Sequence, residues 1–231
     1  MDSRPKRGVL YIVWGDKVET PLQRSMASLR KHHPDLPIHV ERLPTPHHDR
    51  GLSLKSGMGK MTPFESTLYL DADTLVMGKL DAGFERAEQF GLACCICECP
   101  WLRRYDPALA DRVEYNTGVL FFSPLAKPVF DRWPDFAGNT PSSSRWTKQD
   151  SLPRGLNYDD QASFARAVES ANLNPFVLPL NYNIRPEFQL AAFAPIKIWH
   201  AYGDPPANVL ALNRACEEGR RSVTWLSWVG R

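Results

Sequence analysis

The sequence predicts an α/β sandwich around a mainly parallel sheet. Short apolar runs with strand character alternate along the chain with segments whose apolar residues recur at helical spacing. That alternation is the pattern of helices packed on a parallel sheet. One run, Phe64 to Val76, holds two aspartates two residues apart, Asp71 and Asp73. Ligands of such sheets bind at the carboxyl ends of strands, where these carboxylates are expected. The 231 residues, 43% hydrophobic and 23% charged, suffice for one sizeable core, and no repeat or clear linker divides them. A single domain over 1–231 is expected.

Leu10 to Trp14 reads as the first strand, closed by Gly15. Thr20-Pro21 reads as a helix start, an N-cap hydroxyl followed by proline at the first helical position. Leu22, Met26 and Leu29 share one face of that helix, and His32-His33-Pro34 ends it. Pro37 to Glu41 alternates as a second strand. Thr45 to Gly57 is polar and turn-rich, expected as a mobile surface loop. A short helical piece at Gly59–Pro63 leads into the strand with the aspartates. Phe84 to Phe90 reads as helix, Gly91 to Cys97 and Tyr115 to Ser123 as strands, and Ala126 to Phe136 as a helix broken at Pro128. The stretch 139–155 lacks periodicity and is expected as an insertion or flexible loop. Asp159-Asp160-Gln161 opens a helix in which Phe164, Val168 and Ala171 share a face. Phe176 to Leu178 and Ile196 to Trp199 read as strands. In the C-terminal segment 205–231, Val209 to Arg221 reads as helix and Val223 to Val229 as an aromatic tail.

Composition narrows the function classes. A net charge of +2 without a long basic run gives no footprint for nucleic acid, which is not expected as a partner. The apolar run from Gly8 to Gly15 is too short to span a membrane, and the charged residues after it do not fit a signal peptide. The 20 prolines, roughly twice the usual share, suit many irregular connections. Of five cysteines, four crowd into Cys94 to Cys99, which is no disulfide framework. A reduced, cytoplasmic protein is expected. Cys95, Cys97 and Cys99 fall on one strand face and Cys94 on the other, a pattern of buried thiols rather than of the C-x-x-C loops that hold zinc. Trp225 and Trp228, three apart, would share a helical face that packs on the domain or touches a membrane surface, an acceptor lipid or a partner subunit.

Two carboxylates at i and i+2 of an extended segment point the same way. They raise each other's pKa unless a cation lies between them, and hard divalent cations take such oxygen ligands. The pair is therefore either a metal–diphosphate site or a turn that ends a strand.

Leu68-Tyr69-Leu70-Asp71-Ala72-Asp73 resembles the D-x-D signature of nucleotide-sugar glycosyltransferases with the GT-A fold. Tyr115-Asn116-Thr117-Gly118-Val119 is similar to the F-N-S-G-V strand of the glycogenin and lipopolysaccharide galactosyltransferase group, Asp160-Gln161 to its Asp-Gln pair, and Ile196 to His200 to its I-x-H strand. The four motifs stand in that group's order, over about Gly8 to Gly203. The resemblance implies a GT-A domain with a mixed, mainly parallel Rossmann-like sheet. It implies that Asp71, Asp73 and His200 bind Mn²⁺, with Mg²⁺ as the alternative, and that the metal bridges the two phosphates of a UDP-sugar. Trp14 and Gly15 would border the base, with Ala72 and Gly203 beside the donor. Lys60, or its neighbour Lys55, would face the sugar or phosphates. Asn116, Asp160, Gln161 and Glu98 would face the sugar. Gln161 is the family's debated nucleophile, but a neutral amide is poor in that role and a front-face reaction is favoured.

The resemblance fails in one place. The lysine that usually follows the metal histidine is absent from Ala201-Tyr202-Gly203-Asp204-Pro205-Pro206, and Arg220 or Arg221 is a candidate substitute. A retaining, Mn²⁺-assisted glycosyltransferase is expected, acting on a carbohydrate, lipid-linked or protein acceptor. The chain would be cytoplasmic or peripheral to a membrane, with a homo-oligomer left open. The alternatives are a non-catalytic nucleotide-sugar-binding or protein-interaction domain of this fold, or a nucleotidyltransferase. The last lacks its Gly-rich basic loop after strand one.

Overall fold

The computed structural model describes residues 6–46, 52–97, 113–140, 145–146, 154–155, 160–189 and 191–227. Glu98, Cys99, Asp159, Trp228 and Val229 lie outside these, as do most of the residues expected in the 139–155 loop. The elements are β1 (Arg7–Val13), α1 (Glu19–His32), β2 (Ile38–Arg42), α2 (Met58–Met61), β3 (Ser66–Leu70), β4 (Thr74–Val76), α3 (Asp81–Phe90), β5 (Leu92–Ile96), β6 (Tyr115–Phe122) and α4 (Lys127–Phe136). They continue with β7 (Arg145–Trp146), β8 (Arg154–Gly155), α5 (Asp160–Ser170), β9 (Phe176–Val177), β10 (Ala191–Ala194), β11 (Ile198–His200), α6 (Ala207–Glu217) and β12 (Thr224–Ser227).

Six strands form the central sheet in the order β2-β1-β3-β6-β5-β9. Three of its five pairings are parallel, so the sheet is mixed but mainly parallel, as the sequence predicts. Strand parity decides the layers. Val9, Tyr11, Leu68, Leu70, Val119 and Phe121 face α1 and α3 through Leu22, Leu29, Phe84 and Ala87. Leu10, Tyr69, Leu120 and Phe122 face the other way, against Val129, Phe130 and Trp133 of α4 and Phe164 and Val168 of α5. Cys94 and Cys95 divide between these two layers, both buried. A smaller core of Ile184, Ala192, Ile196, Trp199 and Val209 lies under the C-terminal third.

Four local expectations are corrected. α1 starts at Glu19, because a 3-10 turn at Asp16–Val18 runs straight into it. Pro21 then sits in the first turn, where amide hydrogens have no intrahelical partner anyway. Pro128 likewise stands at the N-terminus of α4 and opens the helix instead of breaking it. The segment expected as a surface loop ends in a 3-10 turn, Leu52–Gly57, which buries Lys55 and Ser56. The described part of the aromatic tail is a strand and not helical: β12 pairs antiparallel with β10 and sets Trp225 edge-on to Phe193. Among the described residues, no helix is long and apolar enough to cross a membrane.

Candidate metal and donor site

β3 delivers Asp71 to the end of the sheet, and a turn follows at once. The amide and hydroxyl of Thr74 both donate to the Asp71 carbonyl, at 3.2 and 2.7 Å. The two aspartates thus converge through a turn and not, as expected, through an extended i, i+2 pair. The turn is anchored inward, since Thr74 Oγ1 meets Ser25 Oγ at 3.0 Å and Ser25 Oγ meets the Tyr11 hydroxyl at 2.9 Å. β4 then pairs antiparallel with β11, opposing Thr74 to His200. That register places His200 Nε2 3.3 Å from Asp73 Oδ1 and 3.8 Å from Asp71 Oδ2.

β6 runs antiparallel to β3, so its polar beginning lies beside the end of β3, and the Asp71 amide donates to the Gly118 carbonyl at 2.8 Å. A side chain at Gly118 would strike His200 Cε1 and crowd Asp71 Oδ2. Glycine therefore leaves open the small space between imidazole and carboxylates. One ligand atom from each of Asp71, Asp73 and His200 lies within 4.8 Å of the others. Two carboxylates and an imidazole around such a space fit a divalent cation.

Behind this cluster is a buried ion network. Lys55 Nζ lies 2.7 Å from Asp71 Oδ1 and 2.9 Å from Asp160 Oδ2. The Tyr69 hydroxyl donates to Asp71 Oδ1 and the Thr117 hydroxyl to Asp160 Oδ2, each at 2.6 Å. Burial pushes the Lys55 ammonium pKa down, but the charges of Asp160 and Asp71 more than offset this and hold it well above its ordinary value. Burial pushes the Asp160 carboxyl up, but the charge of Lys55 and the Thr117 hydrogen bond bring it below its ordinary value. At Asp73, too, burial raises the pKa and the neighbouring His200 ring outweighs it, so the carboxyl ends lower than usual. The group holds one ammonium, paired with Asp71 and Asp160, and a third carboxylate at Asp73, leaving two negative charges, the demand that one divalent cation meets.

Asn116 and Gln161 complete the wall. Asn116 Nδ2 donates to Gln161 Oε1 at 3.2 Å. A cavity of about 320 Å³ opens in front, bordered by Ile12, Trp14, Lys17, Pro21, Lys55, Asp71, Ala72, Asp73 and Tyr202. Gly15 turns the chain beside it with a positive φ of 71°, a conformation that favours glycine.

The structure thus brings Trp14, Asp71, Ala72, Asp73, Asn116, Asp160, Gln161 and His200 to one end of the sheet. It leaves Lys60 exposed on α2, outside this group, and the cation at Asp71 is Lys55. Arg220 pairs with Glu218 beyond α6. The guanidinium that meets the loop after His200 is Arg24 of α1, which donates to the carbonyls of Tyr202 and Gly203 and pairs with Asp204 at 3.0 Å. Sequence reasoning passed over Asn183, which is buried and hydrogen-bonded to both His200 and Asn116. Its one signal was a pair of asparagines around Tyr182 in a stretch without glycine.

No family model matches the sequence, and no curated protein matches it. Solved structures do match. LgtC, a galactosyltransferase solved in complex with donor and acceptor sugar analogs, is 13% identical with a TM-score of 0.55, over 94% of this chain and 97% of that one. The apo glycosyltransferase GlyE of Streptococcus pneumoniae TIGR4 is 16% identical with a TM-score of 0.53, over 86% of this chain and 55% of that one, so this chain spans about half of GlyE. Mouse xyloside xylosyltransferase 1 is 12% identical with a TM-score of 0.52, over 87% of this chain and 99% of that one. The likeness establishes the GT-A glycosyltransferase fold.

Proposed function

From a GT-A fold with Asp71, Asp73 and His200 gathered at its sheet end, we propose that this chain is a retaining glycosyltransferase. It moves a sugar from a UDP-sugar to a carbohydrate, lipid-linked or protein acceptor. The observation that carries the reading is the space beneath Gly118, which a methyl group would close, ringed by two carboxylates and an imidazole. Those three residues would hold Mn²⁺, or Mg²⁺ in its place. The ion supplies Lewis-acid stabilisation of the charge that develops on the leaving diphosphate.

The remaining roles fall to the chain's own groups. Trp14 borders the cavity and offers an aromatic face to the base. Lys17, on the same rim, offers a positive charge for phosphate oxygens. Lys55 holds Asp71 and Asp160 ionised and in place. Asn116, Asp160 and Gln161 face the donor sugar. The Gln161 carbonyl oxygen already accepts from Asn116, which supports a front-face reaction over attack by the amide. In that reaction the bond from the anomeric carbon to phosphate breaks, the acceptor oxygen bonds to the same face, and its proton passes to a diphosphate oxygen. We read 1–231 as one domain working in the cytoplasm, a setting that suits its buried reduced cysteines.

The test is thermal stabilisation by a panel of UDP- and GDP-sugars with and without Mn²⁺. A UDP-sugar is expected to raise Tm only with the metal, since ligand binding to the native state stabilises it by mass action. Asp73→Asn is expected to remove that shift. Absence of any metal-dependent donor shift in the unsubstituted chain overturns the proposal. Donor binding without transfer or hydrolysis would favour a non-catalytic binding domain.

A further inference from the structure

One hydrogen-bonded chain links the two sides of the site, and every direction in it is forced. The Gly118 backbone N–H can only donate, so the atom it meets at 3.0 Å, Asn116 Oδ1, is an acceptor. Asn183 meets the same oxygen at 2.8 Å and must do so with its amide nitrogen. The Asn183 carbonyl oxygen is then the atom turned to His200, 2.9 Å from Nδ1, and a carbonyl can only accept. Nδ1 therefore carries the proton, and in the neutral ring the lone pair is on Nε2, the nitrogen that faces Asp71 and Asp73.

We infer that Asn183 is a positioning residue which, anchored through Asn116 to a backbone amide, fixes His200 as the Nδ1–H tautomer so that Nε2 is presented as a metal ligand. The local fold holds Asn183 in place for this. Ile184 forms a parallel bridge with Trp199, the His200 amide donates to the Ile184 carbonyl at 2.8 Å, and the Asn183 amide donates to the Leu180 carbonyl at 2.9 Å. Asn183 is 1% exposed, so water does not compete for these bonds. The same chain reaches the sugar side. With Asn116 Oδ1 engaged by Gly118 and Asn183, its Nδ2 is the group directed at Gln161 Oε1. Partners beyond the ligand shell orient metal-binding histidines in this way, and their loss lowers metal affinity roughly 10–100-fold.

The metal role rests on the function proposed above, but the tautomer is read without metal or donor. The full chain, labelled with ¹⁵N-histidine and metal-free at pH 8, gives a long-range ¹H–¹⁵N spectrum in which the two tautomers are distinct. His200→Gln identifies the His200 signals by their loss. The expected result is the Nδ1–H form in the native chain and a shift toward Nε2–H in Asn183→Leu. Binding of Mn²⁺ alone, followed by electron paramagnetic resonance, is expected to weaken at least about tenfold in that variant. Asn183→Asp keeps an acceptor for Nδ1–H, though it gives up the donor to Asn116 Oδ1, and should restore the Nδ1–H form, which a merely structural role would not do. If Asn183→Leu does not fold, Asn183→Ala takes its place. An unchanged tautomer in either variant, or an aspartate no better than leucine, overturns the inference. A native chain with the Nδ1–H form and no Mn²⁺ binding supports the ring orientation and overturns the metal reading instead.

Discussion

A methyl group at Gly118 would stand 2.6 Å from Asp71 Oδ2 and against the His200 ring, with Asn116 Oδ1 at 3.2 Å. None of these can yield alone, because Asp71 is tied to Lys55 and Tyr69, His200 to Asn183, and Asn116 to Gln161. Gly118→Ala is therefore expected to lower Mn²⁺ affinity by about 10–100-fold in calorimetry, in the range seen when ligand-orienting partners are lost. Unchanged affinity would mean that the ring moves aside freely. At this scale the acidic and amide residues were legible, since their types and order suit oxygen-rich binding. The partner lysine was not. Lys55 and Lys60 look alike in sequence, and only the burial of Lys55 between Asp71 and Asp160, far apart in the chain, separates them.

Elements meet at Lys55 as well. The 3-10 turn at Leu52–Gly57 links the end of β3 to the start of α5 through this one ammonium. Removing one partner of a buried ion network leaves an uncompensated charge, at a cost of roughly 3–5 kcal/mol. Lys55→Ala should lower Tm by roughly 6–20 °C at about 2–4 °C per kcal/mol, measured by circular dichroism at neutral pH. A drop of about a degree or less would show that water reaches the pair. Helices and long strands were legible because their periodicity is local: Leu22 and Leu29 mark the buried face of α1, and Phe164 and Val168 that of α5. The short strands β4, β10, β11 and β12 were read only in part. Their pairing partners lie far off in sequence, and three or four residues carry too little pattern to show it.

For the molecule as a whole, the network sets a pH profile. Asp160 lies below its unfolded value of about 3.9, so its contribution is full above that pH and is lost as pH falls through the folded value. Lys55 lies above its unfolded value of about 10.4, so its contribution is full below that pH and is lost as pH rises through the folded value. Between about pH 5 and 9 the pair contributes a constant amount, and Tm should begin to fall as pH drops below about 4. Lys55→Ala should behave oppositely in acid. Its buried Asp160 has lost the cation, so protonation relieves a buried charge, and the variant closes its Tm gap to the native chain as pH falls from 7 to 4. A gap that stays constant over that range would refute this account. The sheet order itself was beyond sequence reading, because the reversed direction of β6 is fixed by its contacts with β3 and β5 on either side.

The antiparallel pairing of β4 with β11 also has a consequence in time. Asp71 and Asp73 leave the ribosome about 130 residues ahead of His200. At roughly 5–20 residues per second that is an interval of about 6.5–26 s. Throughout it the nascent chain carries carboxylates without their imidazole, and with Asn183 still to be made for most of the delay. The Asp71–Asp73–His200 cluster is thus a late product of synthesis, completed only when β11 closes onto β4, a strand translated long before it.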